Sequence, residues 1–563
     1  MSIEAMKRCI NANNGILEYD CIYHNVRVVN VFTETVCDMD VATLDGYFCA
    51  LAPKNKKAKK YVDCHGKYMA PGLMDAHMHI ETSHLNPNSW AEITLPHGTT
   101  GIFFDAMMSG SVYGKNYVEI LNRMIEKIPT HVFYQIPSRV PSNLDLETTG
   151  GVIGVKEVKE LIQDSNAVSL GEVNYISVLR SETEILEKIA AVKKENKIIN
   201  GHCPQISKDD INTVAAVGVT DDHESMTYNE LFNKLSRGLT VMIREGSIEP
   251  NVEELITGVI ANNLPIDNLL FCTDDKYPVD LIEKGHMDYA LNKAIHCGLN
   301  PIKAIKMATL NTAKYYHLDN RLGSITPGRE ADFFLFENLE EICPDQVYIG
   351  DILVADQGKT VYKVADNKEF MDHSIAFNEL FEPEELQYKK FGPQVWCRVM
   401  EVHPNDLCPE EIHCELTVEN GFIQPNVKDD ILPIVVVNRY GQDRNIGKGF
   451  IKGLMVKEGA IASSLSSEGN NIVACGANYE DMALAINSLK DMDGGMVIVK
   501  DGIVLAENRM PIGGIMYNCS AKETIKQLGM VEDKLTEIHC ENKKAFTYMC
   551  VATAPSIPSL GLT

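Results

Sequence analysis

The segment PGLMDAHMHIETS, residues 71–83, joins a short apolar run to two histidines, His77 and His79, two positions apart. On a strand, residues i and i+2 point to the same side, so both imidazoles can address one metal ion. An isolated HxH pair is often incidental, because histidine also serves structural and surface roles. This one gains weight from the six apolar runs downstream of it. TGIFFDA, HVFYQIPS, AVSLGEV, KIINGHC, VTDDHES and NLLFCTDD each run apolar or β-branched for a few residues and end in polar ones, with charged helical stretches between them. Repeated strand–helix units of this kind predict a parallel sheet buried on both faces. Their number and even spacing between Gly72 and about Leu318 favour a closed (β/α)₈ TIM-type barrel, whose reactive groups sit at the carboxyl ends of the strands.

Those ends carry metal-type ligands. Glu172 ends AVSLGEV, His202 ends KIINGHC, His223 ends VTDDHES and Asp274 ends NLLFCTDD. With His77 and His79 they make six nitrogen and oxygen donors from five strand ends. That is more than one tetrahedral ion needs, and it suits two divalent ions sharing a carboxylate, with Glu172 as the natural bridge. Two such ions would acidify a water and orient it toward an electrophilic carbon. Asp274 is expected both to ligate and to accept the water's proton. Mixed imidazole and carboxylate donors without thiolate fit Mn²⁺, Fe²⁺ or Zn²⁺. Cys203 and Cys272 flank two of the ligands, and packing is the expected fate of both.

The flanks of this region read as β structure. CIYHNVRVVNVF, GYFCALA and YVDCHGKYMAPG precede it, so residues 1–70 are expected to be short strands and turns. SITPGREADFFLF and VYIGDILVADQGKTVYKV come after it, with turns at Pro327-Gly328 and Gln357-Gly358. A small discontinuous β-sandwich built from 1–70 and 319–371 is the simplest inference. After a connector at 372–390, strands such as DILPIVVVN and GGMVIVKDGIVLAE alternate with the helical run YEDMALAINSLKDM, and Asp501-Gly502 is a hairpin signal. An extra C-terminal α/β domain at 385–563 is therefore expected.

The 563 residues carry 78 acidic against 52 basic side chains, a formal charge of −26 that argues against a broad nucleic-acid surface. A small-molecule substrate is the better expectation. Neither a secretory signal nor a membrane span is legible: Glu4, Lys7, Arg8, Glu18 and Asp20 interrupt the first thirty residues, and the apolar stretch from Ile431 to Val437 is too short to cross a bilayer. The sixteen cysteines are dispersed without a CxxC pair, so most are expected to be reduced thiols in the cytoplasm. A symmetric homo-oligomer is the general expectation for such an enzyme.

The segments PGLMDAHMHIETS, LPHGTTGIFFD, SLGEVNY, NGHCPQIS, DDHESMT, VMIREGS, CTDDKYP, KGHMDYALNKAI and MATLNTAKYYHL resemble the adenine deaminase branch of the amidohydrolase superfamily. GSITPGREADF, NIGKGFIKGLMVKEGAIASS and MPIGGIM extend that resemblance over nearly the whole chain. It implies a barrel, a discontinuous β-sandwich and an extra C-terminal domain. It also implies hydrolysis of adenine to hypoxanthine and ammonia for purine salvage, with Mn or Fe as the metals. His77, His79, Glu172, His202, His223 and Asp274 match the family's metal positions. Glu224 is a candidate for moving a proton to the ring nitrogen or leaving amine, or else for orienting a ligand. Arg244 and Glu81 are candidates for touching substrate, or for pairing with groups around the metals.

Two segments depart from the family. Where Asp-Pro-His-Glu is usual, this chain reads Asp105-Ala106-Met107-Met108; where His-Asp-Ser-His-Asn is usual, it reads Ser467-Glu468-Gly469-Asn470-Asn471. Both changes remove imidazoles, and Met108 also removes an acid. Met107 and Met108 would then give the substrate a flexible apolar wall that accepts a different or larger ring, or else both segments are peripheral and have drifted without consequence. The alternative functions are an amidohydrolase acting on another aminopurine, amino-heterocycle or cyclic amide, and a catalytically silent binding homologue. Intact ligands at all six positions argue against the last.

Overall fold

The computed structural model describes residues 1–143, 146–362, 364, 367–368, 370–403, 409–555 and 560–562. Part of the expected 319–371 segment, including Lys363, lies outside them, as does Cys408.

Eight parallel strands dominate the middle of the chain. Leu73–Met78, Thr99–Asp105, His131–Pro137, Ala167–Asn174 and Ile198–His202 form one sheet in sequence order; Asp221–Asp222, Thr240–Arg244 and Leu269–Cys272 form a second. The amide of Thr220 donates to the carbonyl of Ile199 at 3.0 Å, and the amide of Asp274 to the carbonyl of His77 at 3.0 Å, so hydrogen bonds cross both gaps between the sheets. Side chains of alternate residues fill the space inside: Met74, Ala76, Phe103, Phe133, Val168, Met242 and Leu270 are all buried. Tyr316 stacks on Phe103 with ring centroids 3.8 Å apart and closes that core from below. The opposite faces of the strands pack against helices, as expected for strands that are apolar on both sides.

A seven-stranded sheet draws on both flanks. Arg27–Asn30, Thr35–Asp38 and Tyr68–Pro71 share it with Phe333–Phe336, Pro344–Ile349, Ile352–Asp356 and Lys359–Thr360. A four-stranded sheet of Tyr19–His24, Val41–Leu44, Tyr47–Leu51 and Ala58–Asp63 packs on it through Tyr23, Phe48, Phe333 and Tyr348.

The N-terminus corrects the reading of strands and turns alone. Ile3–Asn13 is an α-helix, capped by Ser2, whose hydroxyl accepts from the amide of Ala5 at 3.2 Å. The helix carries Cys9 onto the strand Tyr47–Leu51, where it pairs with Cys49 in a disulfide; the other cysteines among the described residues are free.

Between Gln394 and Arg509, nine strands among the described residues form one sheet. Leu432–Val437 shows why it is covered on both sides. Ile434 and Val436 pack with Leu528, Val531, Leu535 and Met549 of the helices Ala521–Leu535 and Ala545–Val551, while Val435 and Val437 pack with Met482, Ile486 and Leu489 of Tyr479–Met492. Asp501 and Gly502, both at positive φ, turn Gly495–Lys500 into Ile503–Arg509. Among the described residues, no helix is long and apolar enough to cross a membrane.

Candidate metal centre and active site

The six expected ligands meet in one buried place at the carboxyl ends of the strands. Oε1 of Glu172 lies 3.2 Å from Nε2 of His77, 3.3 Å from Nε2 of His79, 3.2 Å from Nε2 of His223 and 3.9 Å from Nδ1 of His202. Oδ1 of Asp274 lies 3.8 Å from Nε2 of His77 and 3.4 Å from Nε2 of His79, and Oδ2 is 4.0 Å from Nε2 of His223. The donors fall into two overlapping groups, His77–His79–Glu172–Asp274 and Glu172–His202–His223, with Glu172 common to both.

The surroundings leave the right atoms available. Nδ1 of His77 faces Oε1 of Gln135 at 2.8 Å, and Nδ1 of His79 faces the carbonyl of Asp105 at 3.0 Å. Gln135 donates its own amide to Tyr316, so its oxygen accepts the His77 proton. Both Nε2 atoms therefore carry lone pairs toward Glu172. Nε2 of His223 and both ring nitrogens of His202 are buried with no hydrogen-bond partner, although carboxylates stand close. Buried orphan donors aimed at one space, together with this imidazole and carboxylate set, fit two divalent ions. Two ligands sit on strained backbone: Glu172 has φ 32° and Asp274 φ 56°, in the left-handed region that residues with a Cβ rarely enter.

Arginines hold the carboxylates. Nη1 of Arg244 is 2.9 Å from Oδ2 of Asp274 and 3.0 Å from Oε2 of Glu224, while Nη2 bonds Glu249. Burial alone would raise Glu224; Arg244, His202 and His223 overcome it and hold the group well below the ordinary carboxylate range. Asp274 is likewise lowered against its burial by His223 and Arg244. Oε1 of Glu224 lies 3.2 Å from His202 and 3.1 Å from His223. Arg244 is fully buried among carboxylates and is absent from the walls of the open cavity.

The cavity in front of the ligands is lined by Met107, Met108, Arg139, Gln205, Met226, Ser467 and Glu468 beside His79, Glu172, His202, Glu224 and Asp274. Both departing segments thus face the candidate metal ligands. They also touch each other: Nδ2 of Asn470 donates to the carbonyl of Met108 at 3.1 Å. Glu81 lies outside this lining. Its Oε1 accepts from the amide of Ser109 at 2.9 Å and from the Ser109 hydroxyl at 2.7 Å, which anchors the helix Met107–Tyr113. A second cavity adjoins the first, and Met108, Asp275, Ser467 and Val551 line both.

Several residues escaped the sequence reading. Arg139 lies just after the strand His131–Pro137 and pairs with Oε2 of Glu172; its place after a strand end was the available signal. Asp105 is buried with both oxygens unpartnered, and burial and then Glu172 push it up to about 8. Asp275, beside its ligand neighbour, is raised to about 6 by burial and Asp274. Cys203 and Cys272 are buried thiols outside every group of candidate ligands.

The Amidohydrolase family model matches residues 68–364, and the model of the Adenine deaminase C-terminal domain matches residues 407–563. A protein named adenine deaminase from Desulforamulus reducens is 38% identical over 97% of this chain and 93% of its own length. Those so named from Kosmotoga olearia and Geobacillus kaustophilus are 34% and 32% identical, each over 97% of this chain and 94% of its own. Likeness to solved structures is looser: one described as "Crystal structure of an adenine deaminase" gives a TM-score of 0.46 at 15% identity, over 60% of this chain and 99% of its own, too low to carry an inference. Two domain matches, and relatives alike from end to end, place this chain in the adenine deaminase family of amidohydrolases.

Proposed function

We propose that the protein hydrolyses adenine to hypoxanthine and ammonia. The observation that carries this reading is the convergence of four imidazoles on one oxygen of Glu172, in a chain whose full-length relatives are named adenine deaminase. Two bound divalent ions, Mn²⁺ or Fe²⁺ with Zn²⁺ as the alternative, would supply an acidified water and Lewis acidity at the purine. His77, His79 and Asp274 would hold one ion, His202 and His223 the other, and Glu172 both. The chain's own groups then manage two protons. The water's oxygen bonds to C6, the C6–N bond breaks, and one water proton ends on N1 and the other on the departing amine. Asp274, kept ionised by Arg244, accepts the first proton released and passes it to the amine. Glu224, ionised and within reach of His202 and His223, carries the other to N1.

The wider setting belongs to the same reading. The eight parallel strands close into a TIM-type barrel, with units at 1–70 and 319–371, 71–318 and 385–563. The enzyme works in purine salvage in the cytoplasm as a homo-oligomer, with neither nucleic acid nor membrane as partner. Protein loaded with Mn²⁺ or Fe²⁺ should remove the ultraviolet band of adenine and release one ammonia per adenine; no turnover with either metal bound overturns the proposal.

One observation favours a second reading. Met107, Met108, Ser467 and Glu468 line the cavity beside the ligands, so the altered segments face whatever ring is bound. On this reading the same chemistry acts on a different aminopurine, amino-heterocycle or cyclic amide. A kcat/KM at least tenfold higher for another such compound than for adenine would decide for it.

A further inference from the structure

The carboxylate shared by both ligand groups is held by an arginine that is itself held from the C-terminal part of the chain. Oε2 of Glu172 bonds Nη2 of Arg139, and Nη1 of the same guanidinium lies 3.2 Å from Oε1 of Glu468. Glu468 belongs to the C-terminal nine-stranded unit, in the stretch 464–471 between the strands Ala460–Ser463 and Ile472–Gly476. Its other oxygen accepts from the hydroxyl of Ser142. Arg139 and Glu468 are both buried, with relative exposures of 7% and 1%. The backbone around Glu468 is specialised: Glu468 and Asn470 are at positive φ, and a Cβ on Gly469 would stand 2.8 Å from Oε1 of Glu147. A carboxylate threaded this closely into a barrel site is not a surface ion pair.

We propose that Glu468 is a positioning residue for the metal centre. It fixes the Arg139 guanidinium, and Arg139 in turn fixes Glu172 with Oε2 engaged and Oε1 facing the imidazoles, so the C-terminal unit sets how tightly the centre holds its two ions. This rests on the dinuclear reading above. A planar guanidinium is suited to the task, because its fork can bond two carboxylates at once in fixed geometry. Remove the Glu468 charge and Arg139 is free to turn, and Glu172 loses the partner that leaves Oε1 for the metals. The segment that lacks the family's usual histidines therefore acts through a carboxylate.

The test is Mn²⁺ binding to the metal-stripped full chain, read as ions per chain and affinity, with electron paramagnetic resonance to distinguish coupled from isolated Mn²⁺. Wild type should bind two ions with a coupled signal. E468Q and R139K should each bind at least one ion at least tenfold more weakly and show isolated Mn²⁺, while metal-free circular dichroism shows both folded like wild type. The E468Q/R139K double variant should be no worse than the weaker single one, because one relay is cut twice. Ser142→Ala, which removes only the other contact of Glu468, should stay within threefold of wild type. E468Q binding two ions with wild-type affinity overturns the relay, as does Ser142→Ala matching the loss in E468Q. Fewer than two ions in wild type overturns the dinuclear centre together with the relay, whereas two ions without adenine turnover overturns only the substrate assignment.

Discussion

Asp105 occupies the space that a side chain on Gly171 would need: a Cβ built there stands 2.0 Å from Oδ2 of Asp105. Gly171 immediately precedes Glu172, whose φ of 32° leaves that ligand's backbone little freedom to yield. Gly171→Ala should therefore cost about 1–3 kcal/mol of stability by overpacking and weaken metal retention with it. Adding Asp105→Ala should restore most of the loss. Urea midpoints of the two variants check this, and a single variant as stable as wild type would count against the packing described.

Arg244 divides one amino group between Asp274 and Glu224, so its replacement should separate binding from chemistry. Arg244→Lys cannot span both carboxylates and Glu249 as a planar fork does. We expect kcat on adenine to fall by about 10²-fold or more, with KM moved far less, since both proton-handling groups lose their orientation. Asp274→Asn should fall further, by about 10³-fold. A large rise in KM at unchanged kcat would mean that Arg244 touches substrate after all.

Those carboxylate partners show where sequence reading stops. His77, His79, Glu172, His202, His223 and Asp274 were legible because parallel strands end in a fixed order, and a ligand-type residue after an apolar run has few other reasons to be there. The hairpin at Asp501-Gly502 was legible because its backbone demands positive φ twice. Arg139–Glu468 was not, because it joins residues 329 positions apart whose proximity depends on how the C-terminal unit docks. Glu81 lay beside two ligands in sequence yet turns toward Ser109, since the short helix Ile80–Ser83 rotates it away from the strand's alternation. The N-terminal helix was legible in part, since Ile3, Met6 and Ile10 recur at helical spacing behind the cap Ser2, but that stripe stays exposed and marks no contact with the strands that follow.

Met108 lines both the cavity at the candidate ligands and the one beside it, so it should govern which substrates enter. Met108→Glu places a carboxylate in the lining shared with Asp275 and Glu468, costing about 3–5 kcal/mol as an uncompensated buried charge. It should also raise the kcat/KM ratio of adenine over aminopurines with apolar substituents by at least tenfold, because the charge disfavours apolar groups in the second cavity. Steady-state kinetics on a matched set of purines measures the ratio. An unchanged ratio in a folded variant would mean that the second cavity takes no part in selection.

His84 supplies a pH dependence outside the metal ligands. It is buried, its Nδ1 lies 3.3 Å from the carbonyl of Ile515, and its own carbonyl accepts from the amide of Tyr517, so it ties the segment after the strand Leu73–Met78 to the chain beyond Arg509. Burial pushes its pKa down to about 4, against the mild upward pull of Ile515. Between pH 6.5 and 4 the unfolded chain takes up a proton at this position and the folded chain does not, so stability falls on acidification through that window and is unaffected by this group above it. The full loss is about 3 kcal/mol by pH 4, and about 2 kcal/mol of it is already gone at pH 5. Asn tolerates the left-handed backbone that His84 adopts at φ 57°, and it does not titrate. His84→Asn should therefore lose less stability than wild type between pH 7 and pH 5, by about 2 kcal/mol in urea unfolding of the metal-free chain. Parallel pH profiles for the two proteins would show that His84 takes up its proton over the same pH range folded and unfolded, against the lowering described.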